Sequence, residues 1–217
     1  MYLPAHFAET RLQVLHGFVR AHPFGLLISH DGSGRPDADG VPFVLDPDPA
    51  GGPGILRAHV ARANPVWQAA HSAGESLVVF QGAHGYVSPA WYPSKAEHGK
   101  VVPTWNYITV HGRGAVRGIE DAAWLHAFVT RLTDRHEGGR SAPWAVGDAP
   151  ADYVDAMLRA IVGVEIVLTS LTGKWKVSQN RSAADRAGVA RGLVDENGAA
   201  GEALAQAVGG ADAVAVA

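Results

Sequence analysis

Glycine and proline cut this chain into pieces too short for a fold of long helices. The 217 residues hold 26 Gly and 13 Pro, and between them lie short runs of β-branched, aliphatic and aromatic residues. Phe24 to His30 is one such run, closed by the turn cluster Asp31-Gly32-Ser33-Gly34. Val41 to Leu45 is another, followed by Asp-Pro-Asp-Pro-Ala-Gly-Gly-Pro-Gly, a loop by composition. Gly54 to Val60, Ser76 to Gly82 and Gly85 to Pro89 continue the series. Val101 to Arg117 reads as one long strand or two, with Gly112 and Gly114 marking a bulge or bend.

Helical spacing is sparser. Over Phe7 to Ala21, the residues Leu12, Leu15, Phe18 and Val19 fall near one helix face, and His22-Pro23 stops the pattern. Asn64 to His71 predicts a short helix capped by Asn64, with Pro65 in its first turn. Asp121 to His136 is amphipathic through Trp124, Leu125, Phe128, Val129 and Leu132. A looser helix, Asp152 to Ile161, precedes a strand from Val164 to Leu171, and Thr172-Gly173 is expected to turn the chain into Lys174 to Gln179. From Ser182 the composition shifts to Ala and Gly, with helices expected over Ala183 to Leu193 and Gly201 to Val208. The whole predicts a mainly β fold, a small antiparallel barrel with peripheral helices over 1–181, and a helical C-terminal extension over 182–217.

Composition removes several functions. With 47% hydrophobic and 18% charged residues the chain is globular. It has no Cys, so disulfides, thiolate zinc sites, iron–sulfur clusters and cysteine nucleophiles are excluded. Its net charge of -3 gives no global basic field for a nucleic-acid backbone. The best apolar run, Ile161 to Leu171, is short and contains Glu165, whereas a membrane span needs about 20 apolar residues. No apolar h-region follows the N-terminus, so a cytoplasmic location is expected. The 11 His form no HxH or HExxH pattern, and no metal site is expected. Neither a GxSxG elbow nor a Walker loop occurs. Asp37-Ala38-Asp39 and Asp46-Pro47-Asp48 lack the distal glutamate of a calcium loop.

Four segments cluster polar residues with rings and Gly or Pro. In His59-Val60-Ala61-Arg62-Ala63-Asn64-Pro65-Val66-Trp67 a strand end meets a helix start, where free N–H groups and the Arg62 fork suit a phosphate. The same residues also make an ordinary capped helix with a surface arginine. Tyr86-Val87-Ser88-Pro89-Ala90-Trp91-Tyr92-Pro93-Ser94-Lys95 offers flat rings, a hydroxyl and a cation, suited to a nucleotide-like ligand or to plugging a barrel end. In Val102-Pro103-Thr104-Trp105-Asn106-Tyr107 alternation sets Thr104 and Asn106 on the face opposite Trp105 and Tyr107. In Lys174-Trp175-Lys176-Val177-Ser178-Gln179-Asn180-Arg181, the residues Lys174, Lys176 and Ser178 share one face, while Gln179 and Asn180 both donate and accept. That segment is equally a solvated basic strand end.

Taken together with the opening Met1-Tyr2-Leu3-Pro4-Ala5-His6-Phe7, these motifs, in this order, resemble the PaiB-type FMN-binding proteins, described as negative transcriptional regulators. The resemblance implies an FMN-binding split barrel in a homodimer, with flavin sites at the subunit interface. On it, Arg62 and Lys95 are expected at the phosphate, with Ala61 N–H and the Asn64 cap beside them. His59 and Val60 would lie under the flavin, Trp91 and Tyr92 would offer flat surfaces, and Thr104, Trp105 and Asn106 would meet the ring or ribityl chain. Lys176, Gln179 and Asn180 would approach from the partner subunit. Three roles stay open: a flavin-responsive regulator, an FMN-dependent oxidoreductase acting on a small molecule, and a flavin-storage protein. Direct DNA binding is not expected, because Arg181, Arg186 and Arg191 step by about 140° each on a helix and form no stripe.

Overall fold

The computed structural model describes residues 1–30, 33–68 and 74–210. In chain order the elements are β1 (Ala8–Glu9), α1 (Leu12–Ala21), β2 (Phe24–His30), β3 (Pro36–Pro42), β4 (Val44–Asp46) and β5 (Ile55–Ala61). Then come β6 (Ser76–Val87), α2 (Ser94–His98), β7 (Thr104–Gly114), β8 (Val116–Ile119), α3 (Ala122–Glu137) and α4 (Ala151–Arg159). Last are β9 (Ile161–Val167), β10 (Ser170–Lys176), α5 (Ala183–Asn197) and α6 (Ala199–Gly209). The paired strands whose register is defined are all antiparallel, so the mainly β, antiparallel fold class with helices around it is what the chain adopts. Among the described residues no helix is long and apolar enough to cross a membrane.

The chain divides into two compact units. The first comprises Met1–Phe18, Gln81–His111 and Thr172–Ala217, and the second Val19–Phe80 and Gly112–Leu171. In the first unit the strand order is β1-β10-β7-β6. The helix expected from Phe7 begins only at Leu12. Ala5–Phe7 is a single 3-10 turn, and Ala8 and Glu9 pair with Lys174 and Gly173. The buried Glu9 carboxylate then accepts the Arg11 backbone N–H at 2.8 Å and its Nε at 2.9 Å, which holds the chain where α1 starts. The strand expected to break near Gly82 runs unbroken to Val87. Gly85 is not a turn residue here; a Cβ on it would stand 3.2 Å from Leu204 Cδ2. Nor does the chain turn at Thr172-Gly173. Gly173 lies inside β10, where a Cβ would meet the Trp175 ring at 2.3 Å and Leu15 at 2.6 Å.

The second unit holds a sheet of order β4-β5-β9-β8, together with β2, β3 and the first half of β6 in order β6-β2-β3. Alternation is clean in β5, where Leu56, Ala58 and Val60 are buried. β9 instead buries five successive residues, Val162 to Ile166, as a strand covered on both faces does. On one side it carries α3, whose Trp124 ring occupies the space a Cβ on Gly163 would need. Asp121 caps that helix by accepting the Trp124 N–H at 2.7 Å. The helix expected over Asn64 to His71 is, in its described part, one 3-10 turn, Pro65–Trp67, with Asn64 as cap. Residues 69–71 of that expectation, and the Asp31-Gly32 part of the expected turn, lie outside the described residues.

Candidate functional site

A recess of about 50 Å³ opens in the first unit, lined by Phe7, Tyr92, Thr104, Asn106, Lys176, Ser178, Asn180 and Arg181. Strand alternation builds one wall. Thr104 and Asn106 face the recess, while Trp105 points away, half-exposed and stacked on His84 at 5.9 Å. β10 supplies Lys176 and then leaves the sheet through Ser178, whose φ of 67° lies in the left-handed region. For a residue with a Cβ that conformation costs about 1–2 kcal/mol. It is held from every side. Asn106 Nδ2 donates to Ser178 Oγ at 2.9 Å, Arg181 N–H donates to Ser178 O at 3.0 Å, and Gln179 Oε1 accepts the Val177 N–H at 2.9 Å. Gln179 Nε2 donates to Trp175 O. Both ends of the Gln179 amide are thus spent on backbone, so this residue shapes the turn.

Lys176 Nζ donates to Thr104 Oγ1 at 2.6 Å and to Trp105 O. Burial lowers its pKa, and the charges of Lys174 and Arg181 lower it further. The Arg181 guanidinium lies over the Tyr92 ring, 4.9 Å from its centre. Tyr92 is 2% exposed, and its hydroxyl has no hydrogen-bond partner among the described residues. Burial raises its pKa against the opposing pull of Arg181, and Asp185 adds to the rise, so the phenol keeps its proton.

The helix α5 supports this wall. Asp185, itself buried, accepts Ser94 N–H at 3.1 Å and the Ser94 hydroxyl at 2.9 Å. Burial alone would raise its pKa; the Ser94 and Ser182 hydrogen bonds and the Arg181 charge hold it below the usual carboxylate range. Trp91 Nε1 donates to Glu196 at 2.8 Å. A Cβ on Gly188 would sit 2.0 Å from Trp91 O, and one on Gly192 2.3 Å from the Trp91 ring.

Of the residues expected from sequence, Tyr92, Thr104, Asn106, Lys176 and Asn180 meet at this recess. Trp91 packs under α5, and Lys95 is exposed on α2. Phe7, Ser178 and Arg181 join the wall without having been singled out as ligand contacts; the alternation of Lys174, Lys176 and Ser178 was the signal for Ser178. His59, Val60, Ala61, Arg62 and Asn64 belong to the second unit. His59 Nδ1 is buried with no hydrogen-bond partner among the described residues, and burial lowers its pKa, leaving a neutral imidazole against Phe128. Val60 is buried and Ala61 ends β5. Arg62 donates through Nε to Arg159 O at 2.8 Å and through Nη2 to Ile161 O at 3.1 Å, and pairs with Glu120. Asn64 Oδ1 already accepts the Val66 N–H, while its Nδ2 donates to Asp39 at 2.7 Å. A three-residue turn with its cap bond made lacks the row of free N–H groups that a helix start would give a phosphate.

The donor set of the first unit fits the polar end of a phosphorylated flavin: hydroxyls, amides and two cations surround a recess with one unpartnered buried hydroxyl. Comparison with known proteins points the same way. Residues 1–170 match the family described as "Putative FMN-binding domain". An uncharacterized protein of Aspergillus fumigatus is 35% identical over 236 residues, covering 89% of this chain and 90% of its own length. The protease synthase and sporulation protein PAI 2 of Bacillus subtilis is 29% identical and covers 90% of each chain. Among solved structures, the flavocytochrome Anf3 from Azotobacter vinelandii superposes with a TM-score of 0.56 at 14% identity, covering 78% of this chain and 69% of that one, a likeness of fold. The chain belongs to the FMN-binding domain family, with FMN as its cofactor and the split-barrel fold that the PaiB resemblance implied.

Proposed function

We propose that this chain is an FMN-binding protein of PaiB type whose influence on transcription is indirect. The observation that carries the reading is the family match over 1–170, joined to a recess whose donors suit a flavin's polar chain. Thr104, Asn106, Lys176, Ser178, Asn180, Arg181 and Tyr92 would hold and orient the cofactor's polar end. In a homodimer, Lys176 and Asn180 of one copy would serve the flavin lying over His59, Val60 and Ala61 of the other. Support for an indirect effect comes from the basic residues of the late segment. Arg181 lies against Tyr92, and Arg186 Nη1 donates to Arg181 O at 3.0 Å, so two of the three arginines are turned back onto their own unit.

A second reading, FMN-dependent oxidoreduction of a small molecule, is favoured by the Tyr92 hydroxyl, a buried proton-bearing group at the recess beside the Arg181 guanidinium. FMN, when bound, supplies the hydride or electron transfer. The protein's part is to bind, orient and hold that proton.

Purified protein examined by absorbance, and by mass spectrometry of the molecule released on heating, tests the cofactor. Release of FMN is expected; a protein that carries none and takes up none on reconstitution sinks the reading. Bleaching of the flavin bands by NADH or NADPH would favour the oxidoreductase. A salt-dependent gel shift lost in Arg186→Ala and Arg191→Ala would favour a direct regulator instead.

A further inference from the structure

We infer that the second unit carries a ligand site of its own, a cleft between α3 and β5 that takes a small ring-bearing carboxylic acid. The cleft has a volume of about 220 Å³ and is lined by Arg57, Trp124, Ala127, Phe128 and Arg131. All five lie in the second unit, and none has a part in holding the flavin. Four come from α3 at spacing i, i+3, i+4 and i+7, one stripe of the helix. Ala127 is the small side chain of that stripe, and the space beside it is not filled. Trp124 and Phe128 stack with centroids 5.2 Å apart and planes 11° from parallel, which gives the cleft a flat apolar wall. The Arg131 guanidinium lies over the Phe128 ring at 5.9 Å. Charge selects the other end of the ligand. No carboxylate lines the cleft, and the acids behind it are outnumbered. Arg57, Arg117 and Arg131 share only Asp46 and Glu165, which leaves one positive charge over. Arg57 spends Nε on Glu165 and Nη1 on Asp46, and Arg131 spends both Nη groups on Asp46. Arg57 Nη2 and Arg131 Nε therefore have no acceptor among the described residues. A carboxylate, with two coplanar oxygens, suits guanidinium donors. Volume sets the size. The cleft holds about seven times the roughly 30 Å³ share of one water. It stays below the roughly 300 Å³ at which pockets enclose drug-sized molecules, so one ring with a short acid fits and a flavin does not.

The test titrates the full chain, apo and FMN-loaded, with benzoate as the probe, read by saturation-transfer NMR and by the rise in melting temperature that a ligand of the folded state produces. Benzoate is expected to bind both forms equally well. Benzyl alcohol, which keeps the ring without the charge, should bind about tenfold more weakly, the scale of a charged hydrogen bond. Ala127→Leu fills the cleft and removes no charge; it should abolish binding in a protein that melts no lower than wild type. Arg131 is exposed, so its replacement leaves the core alone. Arg131→Gln should weaken benzoate by about threefold to tenfold, the range from a surface ion pair to a charged hydrogen bond, and Arg131→Lys should restore part of the loss. Lys100→Gln, in the first unit, should change nothing. Near-ultraviolet dichroism of each variant separates lost binding from lost folding. Benzoate that fails to bind, or binds Ala127→Leu and Arg131→Gln as well as wild type, overturns the site. So does benzoate displaced by FMN, since it would then occupy the cofactor's place. Because the apo protein is titrated too, a chain that never takes up FMN but binds benzoate through Ala127 and Arg131 sinks the flavin reading and leaves this site standing.

Discussion

Glu165 shows how much a single residue can be asked to carry. It stands at the centre of β9, in register with Arg57 of β5 on one side and Arg117 of β8 on the other. Arg57 Nε donates to it at 2.8 Å, and Arg117 Nη2 also reaches it. Arg57 further pairs with Asp46, which Arg131 grips at 3.0 Å. Burial pushes the Glu165 pKa up, but the two arginines outweigh it and hold the group below its ordinary 4.5. A carboxyl with a depressed folded pKa adds stability that is present above the unfolded value and is lost as pH falls through the folded one. Wild-type stability should therefore fall as pH drops below about 4.5, and Glu165→Gln should flatten that fall. At pH 7 the variant should lose about 1–3 kcal/mol, the cost of leaving charged donors unpaired. Thermal unfolding between pH 3 and 7 reads both effects, and an unchanged acid limb would remove Glu165 as its source. The pairing was not legible beforehand, because register across three strands is a tertiary fact. Alternation within one strand was legible, and Thr104 and Asn106 do share the face that lines the recess, with Trp105 on the other.

Among elements, glycine accounts for most of the difference between sequence and structure. Glycine is the usual turn residue, and on that ground Gly82, Gly85 and Gly173 read as punctuation. The fold uses Gly85 and Gly173 as seats for large side chains, and Gly118, Gly163 and Gly192 seat Trp67, Trp124 and Trp91 in the same way. Composition cannot distinguish the two uses, because the side chain that fills the seat arrives from a distant stretch of the chain or, for Trp175 at Gly173, from two residues along the same strand. The α5 glycines turn this into a test with opposed signs. Helix propensity alone says Gly188→Ala should stabilise by about 1 kcal/mol. The contact says otherwise, since the new methyl would stand 2.0 Å from the Trp91 carbonyl oxygen, a backbone atom that cannot swing away. A net loss of about 1–3 kcal/mol is expected, a melting point lower by about 2–4 °C for each kcal/mol in a chain of this size. FMN retention should weaken with it, because α5 carries Asp185, which holds Ser94 two residues beyond Tyr92. A variant that melts higher than wild type would show that α5 does not press on Trp91.

At the scale of the whole molecule, the family match ends at residue 170, yet α5 and α6 belong to the first unit and bury Val189, Leu193, Leu204 and Val208 there. A composition shift at Ser182 marked these helices as an appendage; what it could not show is that their small residues let them pack closely. The proposed homodimer carries an expectation at this scale. In the first unit Val102 is 62% exposed, and Tyr86 and Trp105 are each 49% exposed, with His84 stacked on Trp105. The His84–Trp105 stack is a surface that a second copy in the proposed homodimer would cover. Light scattering should then return twice the 22.7 kDa of the chain, with a melting point that rises with protein concentration. Trp105→Glu should shift the mass toward one chain, since it buries a charge in any such contact. If two copies complete the flavin site, the same variant should lose FMN even though Trp105 faces away from the recess. Retention of FMN by a 22.7 kDa species would place the whole site within one copy and end the two-copy proposal.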